Sequence, residues 1–184
     1  MKIAAIVGSN RKESFNLKLT KFIQQRYAGK FDLEIVSITD LPFYNQEIEN
    51  TPPEAVTTFK SKIKAADLVL WVVPEYNATV PGIMINAIDW LSRVEKVMTG
   101  KPSWIIGASM GNLGTVKAQM HLRAVLFTIG SPLLPSNEVY VGAVHEKIDA
   151  SGTLIHEPTV QYLDLVVNNL ITWYDRYHKT TVTA

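Results

Sequence analysis

The sequence predicts an α/β protein: an open, five-stranded parallel sheet in the order 2-1-3-4-5, with helices on both faces in a three-layer sandwich. Two observations predict it. Short apolar runs alternate with amphipathic stretches five times along the chain, which is the rhythm of β-α units rather than of hairpins. The most apolar run, residues 67–74 (DLVLWVVP), is continuous instead of alternating, and that marks a strand covered on both faces.

The elements follow in order. Residues 2–8 (KIAAIVG) read as a buried strand. Residues 14–26 carry Phe15, Leu17, Leu19, Phe22 and Ile23 at mostly helical spacing, and Ser14 is placed to cap them. Residues 33–38 alternate, with Leu33 and Ile35 inward, as a second strand. Residues 40–53 are a loop by composition, and Pro53 suits the first turn of a helix running to Ala66. Strand three, 67–74, ends at Pro74, and a helix follows over 81–97. Residues 103–109 (SWIIGAS) form strand four, 113–129 a helix that is strongly apolar from Leu122 onward, and 138–141 a short strand five. Residues 145–157 are a loop turning at Asp149-Ala150-Ser151-Gly152, and the last helix spans 158–178. Five strands in one chain of this length suit a flavodoxin-like order better than a six-stranded dinucleotide fold. In such sheets the ligand sits at the C-terminal ends of the strands, at the switch point between the first and third, so the loops after Gly8, Val73 and Ser109 are expected to build the site.

Composition narrows the function. The 184 residues are expected to form a single domain, 1–184, with 47% hydrophobic residues to supply its core. Eighteen Lys and Arg against seventeen Asp and Glu leave a formal charge of +1, which gives no bulk attraction to nucleic acid or an anionic membrane. Zero Cys excludes disulfides, thiolate catalysis and Cys-ligated metals, and fits a reducing, cytoplasmic compartment. The apolar run after Met1-Lys2 stops at Gly8, too short for a signal peptide, and no run approaches a membrane span. The four His (121, 145, 156, 178) are scattered without zinc-binding spacing, so no metal site is expected. Charged residues are 19%, below the ~25% of ordinary soluble domains, which points to a partly covered surface.

Three loops carry unusual residues. The first, 8–16 (GSNRKESFN), gathers Ser and Asn side chains, one guanidinium and backbone N–H groups at a helix N-terminus, a ready site for a phosphate monoester. It has neither a Walker pattern nor a G-x-G-x-x-G turn. The second, 74–82 (PEYNATVPG), is stiffened by two prolines and offers an aromatic face at Tyr76 and an amide at Asn77 to a heterocycle. Glu75 has no His or metal partner in the pattern, so a structural carboxylate outweighs a general base there. The third, 107–115 (GASMGNLGT), lets backbone approach a ligand closely, and the following helix points its positive end at the same place.

Two hydrolase patterns compete. Residues 107–111 match the G-x-S-x-G elbow, with Ser109 as nucleophile and Asp149 and His156 following. Asp175-x-x-His178 with Ser9 matches another small-esterase ending. Both are short patterns that leave the 74–82 loop without a use.

Together the three loops resemble the NAD(P)H-dependent FMN reductases of the flavodoxin superfamily, the group that includes bacterial chromate and quinone reductases and some azoreductases. Residues 74–93 (PEYNATVPGIMINAIDWLSR) are similar to the family pattern P-E-Y-N-x-[ST]-x-P-G-x-L-K-N-A-I-D-W, residues 8–16 to its phosphate loop, and residues 109–126, with SMGNLG and MHLRAVL, to its third motif. The resemblance implies an FMN cofactor and NADPH or NADH as co-substrate. Ser9, Arg11, Ser14, Phe15 and Asn16 would hold the phosphate, Pro74, Glu75, Tyr76 and Asn77 the ribityl chain and ring, and Ser109, Met110 and Gly111 the ring's other edge. The family passes a hydride from NAD(P)H to FMN, then two electrons to a quinone, azo compound, free flavin or similar acceptor, with no catalytic side chain of its own. It also implies a homodimer or homotetramer. Ile85 stands where the family has its usual Lys, and Thr115 where a second Gly is common. The rival reading is a one-electron carrier like flavodoxins proper, whose strongly acidic surfaces contrast with a charge of +1 and with Arg11 in the phosphate loop. The esterase built on Ser109 ranks below it.

Overall fold

A computed structural model describes residues 1–182. The strands are β1 (Lys2–Val7), β2 (Asp32–Ile35), β3 (Leu68–Val72), β4 (Ser103–Ala108) and β5 (Val139–Val141), all parallel in the order β2-β1-β3-β4-β5. The helices are α1 (Phe15–Arg26), α2 (Glu54–Ala65), α3 (Gly82–Ser92), α4 (Val116–Thr128) and α5 (Glu157–Val182). The expected order and alternation are therefore observed.

The period of two along the strands divides the core between the faces. Ile3, Ala5 and Val7 of β1 and Leu68, Leu70 and Val72 of β3 pack with α1 and α5. Ala4 and Ile6, with Val69, Trp71 and Val73, pack with α2, α3 and α4. Every residue of β3 is buried, as its unbroken apolar run requires. Inside this core the Trp71 indole donates to Ser103 Oγ at 2.9 Å, so its one polar atom is satisfied.

Some boundaries differ from the sequence reading. Strand β2 stops at Ile35; Val36 N still donates to Ala5 O at 2.9 Å, and Val36 and Ile38 are buried, because apolar spacing reports burial past the end of the paired strand. Helix α3 ends at Ser92 rather than 97: Arg93 is extended and Val94 adopts φ 57°, in the left-handed region. Helix α4 begins at Val116 rather than 113, since Gly114 at φ 64° turns the chain first. Helix α5 starts one residue early, at Glu157, and runs past 178.

Candidate functional site

The loops after β1, β3 and β4 emerge at one rim, the C-terminal edge of the sheet. They are fastened to each other. Gly8 N donates to Val72 O at 2.9 Å, and a β-carbon on Gly8 would lie 2.9 Å from Met84 Cε and 3.0 Å from Pro74 Cδ. The first loop thus runs in tight contact with the second, and a side chain at position 8 would have to displace the Met84 methyl. The buried Asn16 amide ties the first loop to the third: Nδ2 donates to Ala108 O and Oδ1 accepts from Ala108 N, both at 2.9 Å. Asn16 therefore acts on the strand end with its whole side chain.

The first loop is built as an anion cradle. Ser14 caps α1 by accepting from Leu17 N at 3.4 Å, and Ser9 Oγ accepts from Arg11 N at 3.3 Å. Among the described residues none supplies an acceptor to the backbone N–H groups of Asn10, Lys12 and Glu13, or to those of Phe15 and Asn16 in the first turn of α1. Arg11 is exposed and Phe15 half-buried beside this turn. Unspent N–H groups, a helix N-terminus and one guanidinium are the donor set a phosphate monoester requires. FMN fits this rim on that chemistry.

The second loop folds back on itself. Tyr76 N donates to Thr79 O at 3.3 Å and Thr79 N to Tyr76 O at 3.0 Å, around Asn77 (φ 52°) and Ala78 (φ 57°). Positive φ at both central residues makes a type I′ turn, which presents Tyr76 and Asn77 outward while Pro74 stays buried. Glu75 is engaged structurally: its Oε2 accepts from Ala118 N in α4 at 3.0 Å. Thr79 Oγ1 lies 3.0 Å from His121 Nδ1. No local pattern marks His121 as a rim residue, because the turn that meets it is 42 residues away.

The third loop is tied to itself and to the segment after β5, while the N–H groups of Met110, Gly111, Asn112 and Leu113 lack acceptors among the described residues. Ser109 Oγ donates to Gly114 O at 2.7 Å, Ala143 N donates to Gly111 O at 3.1 Å, and Val144 N to Ser109 O at 3.0 Å. Met110 is exposed at the rim beside Gly111. Neither hydrolase pattern assembles. His156 Nδ1 pairs with Thr159 at 2.8 Å and Asp149 with the Ser151 and Thr153 of its own turn, so neither serves Ser109. Ser9 follows the C-terminal end of β1, whereas Tyr177 beside His178 donates to Gly100 O before β4, at the opposite edge. Among the described residues no group of three or more His, Asp or Glu is arranged to hold a metal, and no helix is long and apolar enough to cross a membrane.

A parallel sheet in this order, with a donor-rich loop at its first switch-point strand and an outward-turned tyrosine on the second loop, defines the flavodoxin-like class. The sequence profile of the NADPH-dependent FMN reductases matches residues 1–146, and the chain belongs to that family. It is an oxidoreductase whose cofactor is FMN and whose reductant is NAD(P)H. It is 39% identical over 175 residues to a 2-hydroxy-1,4-benzoquinone reductase of Burkholderia sp, covering 94% of this chain and 96% of that one. It is 36% identical to a quinone reductase of Pseudomonas putida, with 93% of each covered. Among solved structures it is similar to FerB, a flavoenzyme NAD(P)H:(acceptor) oxidoreductase from Paracoccus denitrificans, at 35% identity and a TM-score of 0.89 over 96% of this chain and 98% of that one.

Proposed function

We propose that the chain is an NAD(P)H:quinone reductase of one domain, residues 1–184, taking benzoquinone-like acceptors. The observation that carries the reading is the Asn16–Ala108 pairing, which sets the anion cradle beside the third loop at the switch point. In this reading Ser9, Arg11, Ser14 and the N–H groups of the first turn of α1 take the FMN phosphate. Pro74, Tyr76 and Asn77 line the ribityl chain and ring, and Met110 and Gly111 meet its far edge. Phe15, Asn16, Glu75 and Ser109 hold the loops in shape. Bound FMN supplies hydride acceptance and two-electron delivery, so the chain needs to orient and shield rather than attack. The names of the similar Burkholderia and Pseudomonas proteins support a quinone as acceptor.

Rapid NAD(P)H oxidation by the FMN-loaded protein with 1,4-benzoquinone is the test. A protein that binds FMN without oxidising NAD(P)H would instead be the one-electron carrier. A homodimer or homotetramer is supported by apolar side chains left uncovered: Met110 (60% exposed), Leu113 (70%) and Met120 (57%) toward the rim, and Phe127 (82%) in the last turn of α4. Light scattering of the purified chain checks it, and a monomer at micromolar concentration would refute it. The absence of Cys supports a cytoplasmic setting.

A further inference from the structure

Helix α4 is capped by a residue that does not belong to it. Thr115, at the cap position, makes no side-chain cap bond. Its Oγ1 is turned inward, where it accepts from Gln119 Nε2 at 3.1 Å and lies 2.0 Å from where a β-carbon on Gly107 would be. The first turn of α4 contains no acidic residue and carries Lys117 instead. Unbonded N–H groups and a cation at a helix start are both unfavourable. The deficit is met from the flavin loop: Glu75 Oε2 accepts from Ala118 N at 3.0 Å, across 43 residues of sequence. The same loop meets α4 again through Thr79 and His121.

We propose that Glu75 is a positioning residue with two linked effects: it clamps the 74–81 loop onto α4, and its carboxylate offsets the positive end of α4 at the flavin rim. The inference rests on the FMN reading above. A bare helix N-terminus favours the negative charge that a reduced flavin ring acquires. A carboxylate seated on that terminus opposes it, so Glu75 sets the potential of the bound flavin lower than the helix alone would.

Three quantities test this in the wild type, Glu75→Gln and Glu75→Ala: exchange of the Ala118 amide in FMN-free protein, FMN affinity by fluorescence titration, and the midpoint potential of bound flavin. Gln retains an acceptor without the charge; Ala retains neither. In Glu75→Ala the Ala118 amide is expected to lose protection by roughly fivefold, the scale of a lost cap, with FMN affinity falling in the same direction. In Glu75→Gln both stay close to wild type. The midpoint potential moves positive in both variants. Unchanged Ala118 protection in Glu75→Ala, or an unchanged potential in Glu75→Gln, overturns the proposal. A wild-type chain that takes up no FMN refutes the flavin reading instead, and the Ala118 exchange still decides the clamp.

Discussion

Two loops on the same rim differ in how firmly they are tied to the rest of it. The loop after β1 has few ties to the rest of the rim: Arg11 and Lys12 are exposed, Glu13 pairs with Lys18 of the adjoining helix at 2.8 Å, and a run of backbone N–H groups lacks acceptors within the described residues. The loop after β4 is tied at more points: Ser109 Oγ donates to Gly114 O, Ser109 O and Gly111 O accept from Val144 and Ala143 beyond β5, and Gly107 at the end of β4 is pressed against Thr115 and Val73 O, although the N–H groups of Met110, Gly111, Asn112 and Leu113 also lack acceptors within the described residues. In the proposed reading the ligand completes the first, and the second fixes where the ligand lies. The two are joined at Asn16 and Ala108, so stability is shared between them, while the proposed phosphate contacts lie on the first.

The sharpest way to break this contrast is Gly107→Ala. The added β-carbon would sit 2.0 Å from Thr115 Oγ1 and 2.3 Å from Val73 O, so about 3 kcal/mol or more of stability should be lost in denaturant unfolding. Asn16→Ala strips partners from both backbone groups of buried Ala108, and about 2–4 kcal/mol should go. Arg11→Ala should do the reverse: stability within ~0.5 kcal/mol of wild type, with FMN affinity down about tenfold in a fluorescence titration. Retained affinity would mean that the backbone amides alone carry the phosphate. Ser109→Ala removes the 2.7 Å bond to Gly114 O and should cost about 1 kcal/mol, read from the denaturation midpoint.

The smallest effect belongs to a control away from both loops. Asp164 is held below the usual carboxylate range by its hydrogen bond to Arg26, aided by the Tyr27 hydroxyl. A depressed folded value adds stability that is complete above the ordinary aspartate range, about 4, and drains away as pH falls through the lower folded value. Since both side chains are more than a third exposed, a few tenths of a kcal/mol is expected, and Asp164→Asn should remove that acid dependence in unfolding curves at pH 2–6.

Much of the fold was legible because apolar runs and their period report burial directly. β1, β3 and β4 were readable from that alone, and the C-terminal rim followed from their order. The failures lie where conformation changes without a compositional signal. Val94 takes φ 57° with neither Gly nor Pro at the end of α3, and β2 ends at Ile35 while Val36 and Ile38 beyond it stay buried. At the site, the cradle of 8–16 was readable from local residue types. The partners of Glu75, Asn16 and Thr79 were not, because they lie 43, 92 and 42 residues away and only the folded sheet brings them together.

The flavin site at this rim is tested most directly by titrating the FMN-free chain with FMN and then adding NAD(P)H without oxygen. One FMN per chain, quenched flavin fluorescence and loss of the flavin's visible absorbance on addition of NAD(P)H are the expected results. A chain that takes up no FMN, or that binds it and leaves it oxidised in the presence of NAD(P)H, would contradict them.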